Sequence, residues 1–308
     1  MNVLQGFSRE GANTVSLRPE DQSRREVAVG SSVVVNDTHA RSKGNMENYV
    51  NEKWRATLAH NGLADFDSLW NLDASWFEEP NRRRGGWSGV SRFEMMCPDG
   101  EVVAVFIKRQ ENHDTRSWRH PLRGIPTFQR EFERIMAYRR CGVPTLEPVY
   151  FGVRREGRDQ RAILVTEEMS GFRSLSDWVH AWTVGAPPSR QERRTVITAV
   201  AALLRRMHEH HIRHGCFFPK HVFVRVGSDG RAEARAIDLE KSRFHPIRMV
   251  CSLRDLYSLN HYSPSFWTRT DRLRFLLDYL GIARLTSAAK RRWHQVAAVS
   301  ERKNRDRA

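Results

Sequence analysis

From residue 46 onward, apolar and polar positions follow two different rhythms, and the change between them comes about midway along the chain. The run Val102-Val103-Ala104-Val105-Phe106-Ile107 is short, apolar and rich in β-branched residues; the turn Pro98-Asp99-Gly100 feeds it and Lys108 closes it, which predicts a largely buried strand. Ahead of it, Gly85 to Phe93 reads as a glycine-bearing turn entering another strand. Behind it, Phe128, Phe132, Ile135 and Met136 recur at helical spacing through Arg140, and Gly142-Val143-Pro144 stops that helix. Val149 to Val153 and Ala162 to Thr166 are two more strands, joined by the polar turn Glu156-Gly157-Arg158.

The second half is mostly helical. Leu175, Trp178, Val179 and Trp182 share one helix face, Ser174 is its N-cap, and Pro187-Pro188 separates it from the next helix. Val196, Val200, Leu203, Leu204 and Met207 mark a long helix expected to end near Arg213. A polar loop, His214 to His221, then leads into a strand at Val222 to Val226, a turn at Ser228-Asp229-Gly230, and a strand ending Ala236-Ile237-Asp238. The pattern predicts an α+β protein with a strand-rich lobe over 46–168 and a helical lobe over 169–299.

Composition sharpens this outline at the ends. Residues 1–45 are dominated by Ser, Arg, Glu, Asp, Asn and Gly, with Phe7 the one aromatic, so a disordered leader is expected there; the charged stretch 300–308 is expected to be a disordered tail. Over the whole chain of 308 residues, 40% are hydrophobic, enough for a substantial core. No apolar stretch approaches the roughly 18 to 20 residues that a membrane-spanning helix needs. Met1 to Thr14 lacks a basic cluster followed by an apolar run, so a cytoplasmic location is expected. Cys97, Cys141, Cys216 and Cys251 are far apart and form no CxxC pair, which points to neither a zinc site nor a disulfide scaffold. The net charge of +15 calls for an anionic partner. No zinc-finger, RNP or helix-turn-helix pattern accompanies it, so nucleic acid is not the expected one.

Candidate chemistry narrows the choice of anion. Phosphoryl transfer from ATP requires a loop over the phosphates, a lysine on them, a glutamate holding that lysine, a positioned base and ligands for Mg²⁺. Candidates occur in that order. Arg84-Gly85-Gly86-Trp87-Ser88-Gly89 can bring backbone N–H groups close to phosphate, since Gly85, Gly86 and Gly89 carry no Cβ. Lys108 ends the apolar strand, and Glu131 lies near the start of the following helix, where it can pair with that lysine. Taken singly, each has a plainer alternative: a simple turn, a solvated lysine, a surface glutamate.

The segment His214-Gly215-Cys216-Phe217-Phe218-Pro219-Lys220-His221, followed by Asp238-Leu239-Glu240, resembles the catalytic loop and metal-binding segment of the protein-kinase-like superfamily. Within it the chain is most similar to the lipopolysaccharide core kinases, the Kdo/WaaP family, in its InaA-like branch. Pro80 to Val90, Phe106 to His113, Arg130-Glu131-Phe132 with Gly142 to Thr145, and the His214 loop carry the resemblance, which spans about 75 to 260. It implies a two-lobed kinase-like fold, ATP and Mg²⁺ as cofactors, and a lipopolysaccharide core sugar, heptose or Kdo, as acceptor.

Position by position, the resemblance implies that Lys108 contacts the phosphates with Glu131 as its partner, and that Glu167, Glu168 and Met169 form the hinge beside adenine. It makes Asp238 the principal Mg²⁺ ligand, a role suited to a hard oxygen donor, with His221 helping to hold the metal. Asp255 is either the buried aspartate that ties the catalytic loop to a central helix or a solvated helix residue. The sequence departs from the superfamily at Cys216, which stands where the catalytic aspartate is expected. Losing a general base typically costs about 10² to 10⁴ in rate. His214, His221 and Glu240 are candidates to take over the role; alternatively Cys216, with His214, Lys220 and His221 lowering its pKa, is itself reactive. Two other readings stay open: a pseudokinase that binds or regulates in envelope stress without transferring phosphate, and a kinase of another small hydroxylated molecule.

Arginine gathers at Arg82-Arg83-Arg84 and at Arg116, Arg119 and Arg123, whose planar guanidinium groups suit the phosphates and carboxylates of an acidic core sugar. Such patches also favour an anionic membrane surface, by about 1 kcal/mol per residue. A peripheral position on the inner face of the cytoplasmic membrane is expected from this.

Overall fold

A single antiparallel sheet receives most of the first half of the chain. The computed structural model describes residues 48–305 apart from 84, 118–119 and 264–265, so the expected leader over 1–45 lies outside the described residues. The sheet contains β1 (Tyr49–Val50), β2 (Trp76–Arg83), β3 (Gly86–Met96), β4 (Val102–Glu111), β7 (Pro148–Glu156) and β8 (Asp159–Glu167), in the spatial order β1-β7-β8-β4-β3-β2. Between β4 and β7 come a separate hairpin of β5 (Asp114–Ser117) and β6 (His120–Pro126) and then the helix α3 (Thr127–Arg140). Two short helices, α1 (Arg55–His60) and α2 (Phe66–Trp70), precede β2.

Alternation along the strands decides what each face of this sheet does. Val105 and Ile107 of β4 and Ile163 and Val165 of β8 pack into one apolar cluster with Trp54, Leu58, Phe66 and Leu69 from the segments before β2. Leu164, between those two β8 residues, belongs instead to the larger cluster that contains Ile135 and Tyr138 of α3. Lys108 sits directly across from Leu164 in the β4–β8 register and so shares its face, toward α3. A slip of one residue would turn Lys108 away from the helix and expose Val105 and Ile107.

The second half is built of α4 (Leu175–Val184), α5 (Arg190–Glu209), α6 (Arg248–Tyr262), α7 (Arg269–Leu280) and α8 (Ser287–Arg305). Two small sheets are set among them. One has the order β12-β11-β9, from β9 (Arg173–Ser174), β11 (Val222–Val226) and β12 (Ala232–Ala236); the other pairs β10 (Ile212–Arg213) with β13 (Arg243–Phe244). Val196, Val200, Leu203, Leu204 and Met207 of α5 are all buried in the larger cluster, as their spacing predicts. The α5 helix ends earlier than expected, at Glu209. His211 takes a left-handed backbone conformation, φ 59, and the chain then pairs Ile212 with Phe244 and Arg213 with Arg243. Helix α8 continues to Arg305, through most of the stretch expected to be a disordered tail, while 306–308 lie outside the described residues.

Leu204 is fully buried where α5 meets the core. Leu204→Ala is expected to lower unfolding free energy by about 2–5 kcal/mol, read from the midpoint of urea denaturation; a loss below 1 kcal/mol would contradict the packing described.

Candidate active site

The lysine and glutamate singled out from sequence meet. Lys108 Nζ lies 2.6 Å from Glu131 Oε1, with the side chains 19% and 6% exposed. A charge-assisted bond at this distance and burial holds both groups in a defined geometry. Its placement depends on a residue whose role the sequence did not disclose. The buried Gln110, two residues beyond Lys108, accepts from the Phe128 N–H through Oε1 (2.8 Å) and donates through Nε2 to the His113 carbonyl (2.8 Å). Helix α3 begins after Pro126, which offers no side-chain cap, so Gln110 caps its first turn from the neighbouring strand. The signal available in sequence was an amide one pleat beyond Lys108 on the same strand face.

The three glycines divide by cause. Gly85 lies in the turn between β2 and β3 with φ +83, and a Cβ there would meet open space. A Cβ on Gly86 would fall 2.0 Å from the Glu111 carbonyl, and one on Gly89 would fall 2.6 Å from the Trp76 ring. Packing of the hairpin against β4 and beneath Trp76 therefore requires glycine at these two positions, whatever the turn binds. Of the arginines expected around this turn and the next hairpin, the side chains of Arg83, Arg84, Arg116, Arg119 and Arg123 lie outside the described residues.

At the end of β8, Glu167 N–H donates to the Glu147 carbonyl and Glu168 N–H to the Ala104 carbonyl, each at 2.9 Å. Neither carboxylate is free: Glu167 pairs with Lys53 at 3.6 Å, and Glu168 takes a two-pronged contact from Arg92, both bonds 2.8 Å, which lowers its pKa. Met169 packs its side chain against the larger core while its carbonyl accepts from Phe172 N–H.

The loop before β11 is held from below. Asp255, fully buried on α6, accepts from His214 N–H at 2.7 Å and Gly215 N–H at 2.9 Å, with His208 Nε2 at 3.3 Å. Of the two readings of Asp255, the buried anchor is the one observed. His214 is buried too. Its Nε2 donates to the Ile237 carbonyl (3.0 Å) and its Nδ1 accepts from Cys216 N–H (3.3 Å), so it is a neutral clamp between the loop and the residue before Asp238. Burial lowers its pKa. With both ring nitrogens engaged, His214 is not available as the general base suggested above.

The environment of Cys216 also differs from expectation. Its thiol is buried, and burial raises its pKa; the charge of Lys241 pulls the other way without reversing the shift. Lys220, expected to activate it, points into solvent. Cys216 is therefore a protonated, packed thiol, and its main chain does more than its sulfur: its carbonyl accepts from Phe218 N–H (2.7 Å) and from His221 Nδ1 (2.9 Å).

That last bond fixes the imidazole of His221 so that Nε2 lies 3.4 Å from Asp238 Oδ2. Asp238 is left-handed, φ 57 and ψ 60, a conformation aspartate tolerates better than most residues, and it opens a short turn whose next residue, Leu239, is buried. Among the described residues no group of three or more His, Cys, Asp or Glu side chains gathers at metal-holding distance. Asp238, a hard oxygen donor with His221 Nε2 beside it, is suited to a cation that keeps water and takes its remaining ligands from phosphate, the usual habit of Mg²⁺. The donor set fits a nucleotide-bound metal.

A lysine–glutamate pair between sheet and helix, above a histidine loop anchored on a buried aspartate and facing a left-handed aspartate, defines a two-lobed protein-kinase-like fold. The sequence model of the lipopolysaccharide kinase (Kdo/WaaP) family matches residues 67–279, and the chain belongs to that family. Protein InaA of Escherichia coli K12 is 39% identical over 200 residues, covering 64% of this chain and 88% of that protein. The lipopolysaccharide core heptose(I) kinase WaaP of the same strain is 27% identical over 231 residues, 72% of this chain and 83% of that one. A solved structure of WaaP in complex with acyl carrier protein superposes with a TM-score of 0.61 at 23% identity, over 85% of this chain and 99% of its own, a likeness of fold.

Removing the anchor should be costly. Asp255→Ala leaves two backbone donors without their acceptor, each worth about 1–3 kcal/mol when buried. Urea denaturation is expected to show a loss in that range or its double, with Asp255→Asn intermediate because one acceptor oxygen remains. Equal stability of Asp255→Ala and wild type would refute the anchoring role.

Proposed function

We propose that the protein is an ATP- and Mg²⁺-dependent kinase that phosphorylates a sugar of the lipopolysaccharide core, heptose or Kdo. The formed Lys108–Glu131 pair is the observation that carries this reading, because a buried glutamate at 2.6 Å keeps the ammonium ordered for a polyanion. Asp238 and His221 would hold the metal, Asp238 by a hard oxygen and His221 by the nitrogen left free of its bond to the Cys216 carbonyl. Bound MgATP supplies the phosphoryl group and neutralises its charge. Gly85 and Gly86 would let main-chain N–H groups approach the phosphates, and Met169 with its neighbours would border the adenine. The net charge of +15 favours an anionic acceptor at an anionic membrane surface. Among the described residues no helix is long and apolar enough to cross a membrane.

Cys216 favours a second reading. A buried protonated thiol in place of the carboxylate cannot accept the proton of an attacking hydroxyl, a deficit of about 10² to 10⁴ in rate. On this reading the same residues bind nucleotide and the protein acts as a pseudokinase.

One set of measurements divides the two. Saturating MgATP, at 100 times its Kd, should stabilise the protein by about 2.7 kcal/mol, a melting shift of roughly 2–4 °C, and Asp238→Asn should diminish it. Transfer of labelled phosphate from ATP to purified core oligosaccharide by wild type, abolished in Lys108→Ala, would establish the kinase. Transfer seen only in Cys216→Asp would establish the pseudokinase. No melting shift in wild type would sink both.

A further inference from the structure

Arg213 and Arg243 stand directly opposite each other where β10 pairs with β13. Like charges in that relation destabilise a strand pair. A third arginine, Arg254, lies on α6, which packs on β10. Arg213 is only 6% exposed, and its Nε–H is buried without an acceptor. Burial first, and then the nearby charges of Arg243 and Arg254, lower its pKa.

Counter-charge is scarce in this cluster: the carboxylate that acts on Arg213 is Asp255, set against three guanidinium groups. Among the described residues none of the three arginines makes a side-chain hydrogen bond or ion pair. The carboxylate that acts most directly on Arg213 is Asp255, and its oxygens are taken by His214 N–H, Gly215 N–H and His208. Glu209, at the end of α5, is paired with Arg205 at 2.8 Å and Arg248 at 3.9 Å. A buried guanidinium with an unmet donor and two uncompensated neighbours is unfavourable in isolation. It becomes favourable if an anion with several acceptor oxygens joins it, because forked N–H donors match such groups.

We propose that Arg213, Arg243 and Arg254 form a binding site for an oxyanion of the phosphate or carboxylate class, separate from the Lys108 and Asp238 positions. The site borders the catalytic loop: Arg213 immediately precedes His214, and Arg243 follows Asp238 by five positions in sequence. An anion there would join β10, β13 and α6 and would brace the loop between them. It requires no phosphate transfer, so it stands whether the protein is a kinase or a pseudokinase.

Arg243 and Arg254 are exposed, so Arg243→Gln and Arg254→Gln should leave the full-length protein folded. Two probes distinguish the source of the oxyanion. Calorimetric titration with glucose 6-phosphate at fixed ionic strength tests a soluble one; co-sedimentation with phosphatidylcholine vesicles, with and without phosphatidic acid, tests a lipid headgroup. The expected result is binding of at least one probe, weakened roughly tenfold in each glutamine variant and unchanged in Lys108→Ala. Binding of neither probe by wild type, variants that bind as wild type does, or loss confined to Lys108→Ala would each overturn the proposal.

Discussion

The carboxylate of Asp255 is the constraint on which the rest of the site depends. The chain from Ile212 to His221 has little regular structure of its own, and it passes over the buried middle of α6 with main-chain N–H groups turned inward. Two of those groups end on one carboxylate. With His214 and Gly215 fixed, the His214 ring reaches the Ile237 carbonyl, and the Cys216 carbonyl reaches the His221 ring. Asp238 and His221 then face each other although they lie 17 positions apart in sequence, with a whole hairpin between them. A buried carboxylate with unused oxygens would be unfavourable; here its bonds to N–H groups compensate for the lost water.

Much of this was legible in sequence because it follows from periodicity. The apolar run Val102 to Ile107 marks the strand that Lys108 closes, and the spacing of Phe128, Phe132 and Ile135 marks the helix face that meets the sheet. The pairing of Lys108 with Glu131 follows once that strand and that helix face meet across the β5–β6 hairpin. Residues whose role is set by a distant partner were not legible. Gln110 looks like any strand amide until Phe128 N–H is brought to it. Arg213 looks like the last residue of a helix until Arg243 pairs opposite it. Helix α5 ends at Glu209, short of the boundary its spacing suggests, because a left-handed histidine, unlike glycine, leaves no compositional mark.

The same distinction accounts for Cys216. Its neighbours in sequence, His214, Lys220 and His221, suggest an activated thiol, but sequence neighbours in a loop need not be spatial ones. His214 turns to Ile237, His221 turns to the Cys216 carbonyl, and Lys220 faces solvent. The cation that does act on the sulfur, Lys241, comes from beyond the next hairpin, and burial outweighs it. Chemistry inferred from a motif thus survives where the motif's main-chain geometry does the work, as at Asp255, and fails where it relies on side chains converging.

The cap that Gln110 places on α3 has a mechanical meaning. A helix tethered to a sheet only through a salt bridge can pivot by breaking one contact and rewetting two charges. Here the first turn is also held by an amide rooted in the strand that carries the lysine, together with the bond from Thr127 N–H to the His113 carbonyl. Withdrawing Glu131 would strand a helical N–H and a buried amide at the same moment. Strand and helix are therefore coupled, and a swing of that helix would break these hydrogen bonds together with the ion pair.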